Sequence, residues 1–255
     1  MKKKYLALVS VIAVSGVVLF YSCKKDDEKT ATKSDAVTVA SVNLKSDAVY
    51  NDLYAESEEI LATLENSKYP AVSGSLKSAT TNGSRVITVT KNSGDTAAAS
   101  FPKEITIVYT NYISLNGIKK NGTIKITQSA RIRKKDAVRT VSLDNFMMND
   151  SILVEGKKTI TNLGLVSGKP TMKVTLENGK ITFSGKYYIT RSFTRTITWK
   201  EGALTPFLIW DDKFAIFEAA KGSSKDGFNY NTKTTDSLEF KLSDLCIKKV
   251  NSKSM

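Results

Sequence analysis

Histidine is missing from this 255-residue chain, and cysteine occurs only twice, at Cys23 and Cys246. Without an imidazole, the usual general base, the histidine-activated nucleophile and the His-ligand zinc site are all excluded. Two cysteines cannot make the disulfide framework of a small secreted scaffold. The chain also lacks a glycine-rich phosphate cradle and the alternating acids of a calcium loop, so no cofactor or metal is expected. Acidic residues are in the minority, 25 against 38 Lys and Arg. No nucleic-acid-binding motif accompanies that surplus, and its densest group is Arg131, Arg133, Lys134 and Lys135. The basic residues read as a solvated surface that favours anionic partners, such as acidic glycans or lipopolysaccharide, over nucleic acid.

What is present begins with a leader. Lys2, Lys3 and Lys4 precede an uncharged, mostly apolar run over residues 5–21, followed by Ser22 and Cys23. A positive start, an apolar centre and a small residue before a cut make a secretory signal. The run is shorter than the ~20 apolar residues that span a bilayer comfortably. Ser22-Cys23 at its end resembles the lipobox of bacterial lipoproteins, in which the cysteine sulfur takes a diacylglycerol. Phe20 and Tyr21 depart from the usual pattern in a way similar to the relaxed boxes of Bacteroidota lipoproteins. Lys25, Asp26 and Asp27 resemble the signal that exports such lipoproteins to the outer face of the cell, and Lys24 stands where an inner-membrane retention signal has aspartate. The resemblance implies cleavage after residue 22, acylation of Cys23 and anchoring in the outer membrane facing the exterior. An uncleaved single-pass anchor is the alternative. Removing residues 1–22 leaves 233 residues and a formal charge of +10. With Cys23 acylated, Cys246 has no partner and reads as a small buried hydrophobe.

The mature chain divides by periodicity. Residues 23–45 are polar and read as the acylated cysteine and a flexible tether, with a typical span of about 25 Å. Residues 46–66 predict an amphipathic helix, capped by Ser46 or Asp47. Val49, Leu53, Ile60 and Leu64 share its apolar stripe with Tyr50, Tyr54 and Leu61 beside them, and Glu56, Glu58 and Glu59 face outward. Residues 82–247 turn to a period of two, over 85–90, 104–109, 123–133, 138–143, 171–176, 180–183 and 186–199. Asn116-Gly117, Asn121-Gly122, Asn149-Asp150 and Asn178-Gly179 read as hairpin turns between these strands. Further strand-like runs cover 207–217 and 238–247. A glycine followed by Ile-Thr recurs at Gly83, Gly122, Gly156 and Gly185, which reads as repeated turn chemistry. The expected fold is mainly β, an antiparallel meander or sandwich-like domain preceded by one helix.

Several segments carry a second resemblance. Residues 102–107, 121–124, 155–162, 178–182 and 195–202, the last reading Arg-Thr-Ile-Thr-Trp-Lys-Glu-Gly, are similar to an uncharacterised family of Bacteroidota surface lipoproteins. That resemblance implies location and a β-rich fold, and no activity. Candidate chemistry is sparse. Asp211-Asp212 beside Trp210 is the best carboxylate pair for a carbohydrate-active enzyme, although adjacent strand residues point to opposite faces. Tyr187, Trp199 and Trp210 are candidates for stacking on sugar rings, and Tyr187, Phe193 and Trp199 share the parity of a core face. The sequence therefore points to a non-enzymatic binding or structural protein on a lipid anchor. A carboxylate-dependent enzyme and a carrier of lipid or glycan with a deep apolar cavity are the other readings.

Overall fold

The computed structural model describes residues 33–66, 75–80, 83–91, 101–114, 117–184, 187–204, 211–225, 227–241 and 246–249. Cys23, Lys25, Asp26, Asp27 and Trp210 lie outside them, as does the side chain of Cys246. Among the described residues one helix, α1 (Lys33–Asn66), precedes twelve strands. These are β1 (Ser75–Thr80), β2 (Gly83–Lys91), β3 (Lys103–Ile113), β4 (Lys119–Gln128), β5 (Val138–Met148) and β6 (Ile152–Val166). They continue as β7 (Lys169–Phe183), β8 (Tyr187–Glu201), β9 (Lys213–Ser223), β10 (Asn229–Lys233), β11 (Leu238–Lys241) and β12 (Cys246–Lys249). All pair antiparallel in one sheet in chain order, except that β9 holds β10 along one half and β11 along the other. The result is a mainly β meander with one helix, as the alternating pattern implies.

Two expectations about α1 are corrected. The helix starts at Lys33, so residues 33–45 are helical and the stretch between Cys23 and the fold is nine residues, with a reach of at most about 30 Å. Ser46 and Asp47 are buried within the helix, not at its cap, and Glu58, expected outside, is buried as well. The apolar stripe itself holds: Leu53, Tyr54, Ile60 and Leu61 are buried in the main core.

That core joins α1 to residues from β2 through β8 and to Tyr230 of β10, so the sheet wraps around the helix. Its curvature comes from β-bulges. Register shifts occur in the pairs of β3 with β4, β4 with β5, β5 with β6, β6 with β7, and β7 with β8. Each extra residue bends and twists its strand. Asn111, Asn145 and Asn178 take positive φ at these places. Gly122 has φ +101°, and a Cβ there would lie 2.2 Å from the Asn145 carbonyl oxygen. Asn121-Gly122 and Asn178-Gly179 therefore sit at mid-strand bends and not in hairpin turns. Consequently residues 171–183 form one strand in place of two. Asn149-Asp150 does turn the chain between β5 and β6, both residues at positive φ.

Strands β1, β6 and β10 have no counterpart in the sequence reading. In β6 the inward positions keep one parity through the bulge at Gly156, but a glycine and then a lysine, Lys158, occupy two of them in succession between Val154 and Ile160. The alternation is thereby masked. Residues 129–133 leave the sheet as a loop, and the expected strand over 238–247 is instead β11 and β12. A second core cluster, with Ile160, Val174, Ile197, Phe214 and Phe240, continues along the far half of β6 to β11.

Candidate functional site

The inner face of the sheet is taken up by α1, which is fixed there by ion pairs as well as by apolar packing. Asp47 Oδ1 lies 2.8 Å from an Arg191 guanidinium nitrogen. Arg191 and Arg195 of β8 both reach Glu218 of β9. Farther along the helix, Asp52 pairs with Lys120 of β4 at 3.0 Å, and Glu58 pairs with Arg139 of β5. Arg139 Nε also donates to Gln128 Oε1 at 2.9 Å. From Asp47 to Glu58 the helix rises ~16 Å, and from β8 to β5 the sheet spans ~14 Å. The two end pairs are therefore spaced alike on helix and sheet, while Asp52 between them reaches past β5 to β4.

Burial and pairing compete in this layer. Burial raises the Asp47 carboxyl above its usual range, and the Arg191 and Arg195 guanidiniums offset this in part. Glu218 is also penalised by burial, but Arg195 and Arg191 outweigh that and hold its carboxyl below the usual range. Lys158, its ammonium 4.1 Å from the centre of the Tyr54 ring, is lowered to about 8 by burial, with Glu58 opposing.

The outer face is the surface the fold offers. Thr127, Thr140, Thr159, Thr175 and Thr194 are direct cross-strand neighbours on β4 to β8. They form a row of hydroxyls ~19 Å long at the sheet spacing. Beside it, the bulges that curl the sheet open two hollows. The larger, about 450 Å³, is lined by Asp144, Asn145, Glu155, Lys157, Glu177 and Asn178. The smaller, about 260 Å³, lies over Ala219 with Thr175, Thr194, Lys221, Asn231 and again Glu177 at its walls. The small side chain of Ala219 lowers the floor between them. The acids here are balanced by lysines: Asp144 by Lys125, Glu155 by Lys180 and Glu177 by Lys157, at 3.4 to 3.8 Å. Hydroxyls, amides and carboxylates in an open groove are donors and acceptors suited to a polyhydroxylated ligand.

Phe217 completes this face. It points outward from β9, 46% exposed, two residues from Ala219 on the same side of the strand. The sequence reading missed it. Its signal was the parity of β9, in which Phe214, Ile216 and Ala220 point inward.

Of the candidate stacking residues, Trp199 and Tyr187 are described, and each packs on a neighbouring ring, in keeping with the core-face parity. Trp199 is stacked on Phe214 with ring centres 5.6 Å apart, and its Nε1–H donates to Asp212 Oδ1 at 3.1 Å. Tyr187 is stacked on Phe183 at 4.9 Å. These two residues lie twelve positions apart on β8, ~40 Å, and form no common surface. Phe193 is half-buried, with the Arg191 and Arg195 guanidiniums 5.2 and 4.9 Å from its ring centre. Asp212 is buried, and its carboxylate anchors the Trp199 indole. No protein-family model, no curated protein and no solved structure matches the chain.

Proposed function

We propose that this is an exported lipoprotein, acylated at Cys23 and displayed on the outer membrane, whose sheet binds a glycan on its outer face without catalysis. The observation that carries this reading is the division of labour between the two faces. The inner face is packed against α1, which takes up the volume a lipid or glycan carrier would need. The outer face carries the hydroxyl row, the two hollows that share Glu177, and the exposed ring of Phe217. An aromatic ring beside hydrogen-bonding side chains gives a sugar both a stacking surface and directional partners. The leader supplies the address, and the similarity to Bacteroidota surface lipoproteins agrees with it.

A glycan array probed with residues 24–255 tests the reading. Binding to one class of glycan is expected, weakened about tenfold in Phe217→Ala and abolished when Thr194→Arg fills the hollow over Ala219. These losses match about 1.4 kcal/mol or more of lost contact. Binding by neither the wild type nor any variant would overturn it, as would binding that both substitutions leave unchanged.

A further inference from the structure

We infer that the end of the sheet carrying the β4–β5 and β6–β7 connections, with Leu204 just past β8, docks on an anionic lipid bilayer. The loop of residues 129–137 is the basic element at this end. Its Arg131, Arg133, Lys134 and Lys135 are all exposed, which alone describes a solvated basic loop. The loop, however, is held rigidly. Asp136 N–H donates to the Asn162 carbonyl at 2.8 Å, and Asn162 N–H donates to the Ala137 carbonyl at 3.0 Å. The buried Asn162 side chain donates from Nδ2 to the Ile132 carbonyl and accepts at Oδ1 from Gly164 N–H, at 2.9 and 2.7 Å. Gly164 has φ +73°, and a Cβ there would sit 2.8 Å from Lys135 Cγ. The stem of Lys135 therefore lies directly on the β6–β7 hairpin.

That hairpin ends in exposed apolar residues. Leu165 and Val166 are 71% and 47% exposed at its tip, followed by Ser167, Gly168 and the exposed Lys169. Thr171 pairs with Thr198, which brings the end of β8 alongside. Just past it Leu204 is 94% exposed, the most exposed of the large hydrophobic side chains described. Aliphatic tips in water cost free energy that a bilayer interface would recover. Cations fixed behind such tips stand at the level of lipid phosphates and add to the attraction. Among the described residues the exposed acids at this end are Asp136, Glu201 and Glu104, with Asp211 and Glu239 partly exposed, and none of them joins the cluster of four cations except Asp136. The opposite end also exposes large side chains, Tyr188 and Phe228, but has no comparable cluster of cations in its described residues. The chemistry thus selects an anionic membrane surface over an apolar protein partner or a soluble polyanion, which would leave the leucines unused.

Co-sedimentation of residues 24–255 with vesicles tests this without any acyl chain, and so independently of Cys23. The fragment keeps every core residue described, from Val42 to Phe240. It is expected to sediment with phosphatidylcholine vesicles that contain phosphatidylglycerol, to stay in solution with phosphatidylcholine alone, and to be released by salt. Arg131→Ala with Lys134→Ala should weaken binding about twenty-fivefold, about fivefold for each charge. Leu165→Ser with Leu204→Ser should weaken it by about tenfold or more. All four side chains are exposed, and circular dichroism on the variants checks that they fold. As a separate readout, Leu204→Trp should shift its emission to the blue on adding the anionic vesicles. Equal sedimentation with both vesicle types, or variants that bind like the wild type, would overturn the inference. An indole at position 204 that stays in water would overturn it too.

Discussion

Burial sets the Lys158 ammonium against the Tyr54 ring, and its protonation couples folding to pH. Its folded pKa, about 8, lies below its ordinary 10.5. Below pH 8 both the folded and the unfolded chain hold the proton, and the full cost of burying it is present. Between pH 8 and 10.5 the unfolded chain holds more protons than the folded one, so this group's contribution to stability rises with pH. Lys158→Met should therefore stabilise the protein at pH 7 by about 2 kcal/mol, since a shift of this size, with the Glu58 attraction already in it, is worth ~3 kcal/mol before the lost contact with the Tyr54 ring is counted. Thermal melts should show that advantage shrinking towards pH 10. A variant less stable than the wild type at pH 7 would mean that the ammonium is a net holder of the fold. Phe217 belongs to the same scale: its exposed ring stands on the outer face two residues from Ala219, which lines the smaller hollow.

At the scale of elements, the helix and the bends each rest on a few residues. Removing Arg139 alone, as Arg139→Ala, strands the Glu58 carboxylate in the core and should cost about 4 kcal/mol. Replacing both partners, Glu58→Leu with Arg139→Met, should restore most of it, because the penalty lies in the unpaired charge and not in the absence of the pair. Denaturant midpoints of the two variants separate those cases. Gly122→Ala should cost about 3 kcal/mol or more, from positive φ and a Cβ driven into the Asn145 carbonyl, and its melting curve checks this.

These same elements show what the sequence could reveal. The spacing of Leu53, Tyr54, Ile60 and Leu61 marked the helical stripe, and alternation marked most of the long strands. Asp47 looked like a cap because aspartate is a good one. Its actual partner, Arg191, is far along the chain, and no local pattern announces it. Asn121-Gly122 and Asn178-Gly179 signalled positive φ correctly, but a bulge uses that freedom as readily as a turn does. For the candidate site, the parity of β9 was sufficient to turn Phe217 outward. The hollows beside it depend on the curvature of the whole sheet, which periodicity does not contain.

At the scale of the whole molecule, α1 and the bulges produce one curved sheet with an occupied inside and an available outside. The proposed binding surface would be useful where ligands arrive from outside the cell. A lipid anchor nine residues ahead of α1 would hold the start of that helix within about 30 Å of the membrane. The account therefore depends most on the fate of Cys23, and the intact mass of the protein purified from the membranes of its own cells decides it. The account predicts a chain that begins at Cys23, lacks residues 1–22 and carries the added mass of its acyl chains. A chain that retains Met1, or one whose Cys23 bears no lipid, would contradict it.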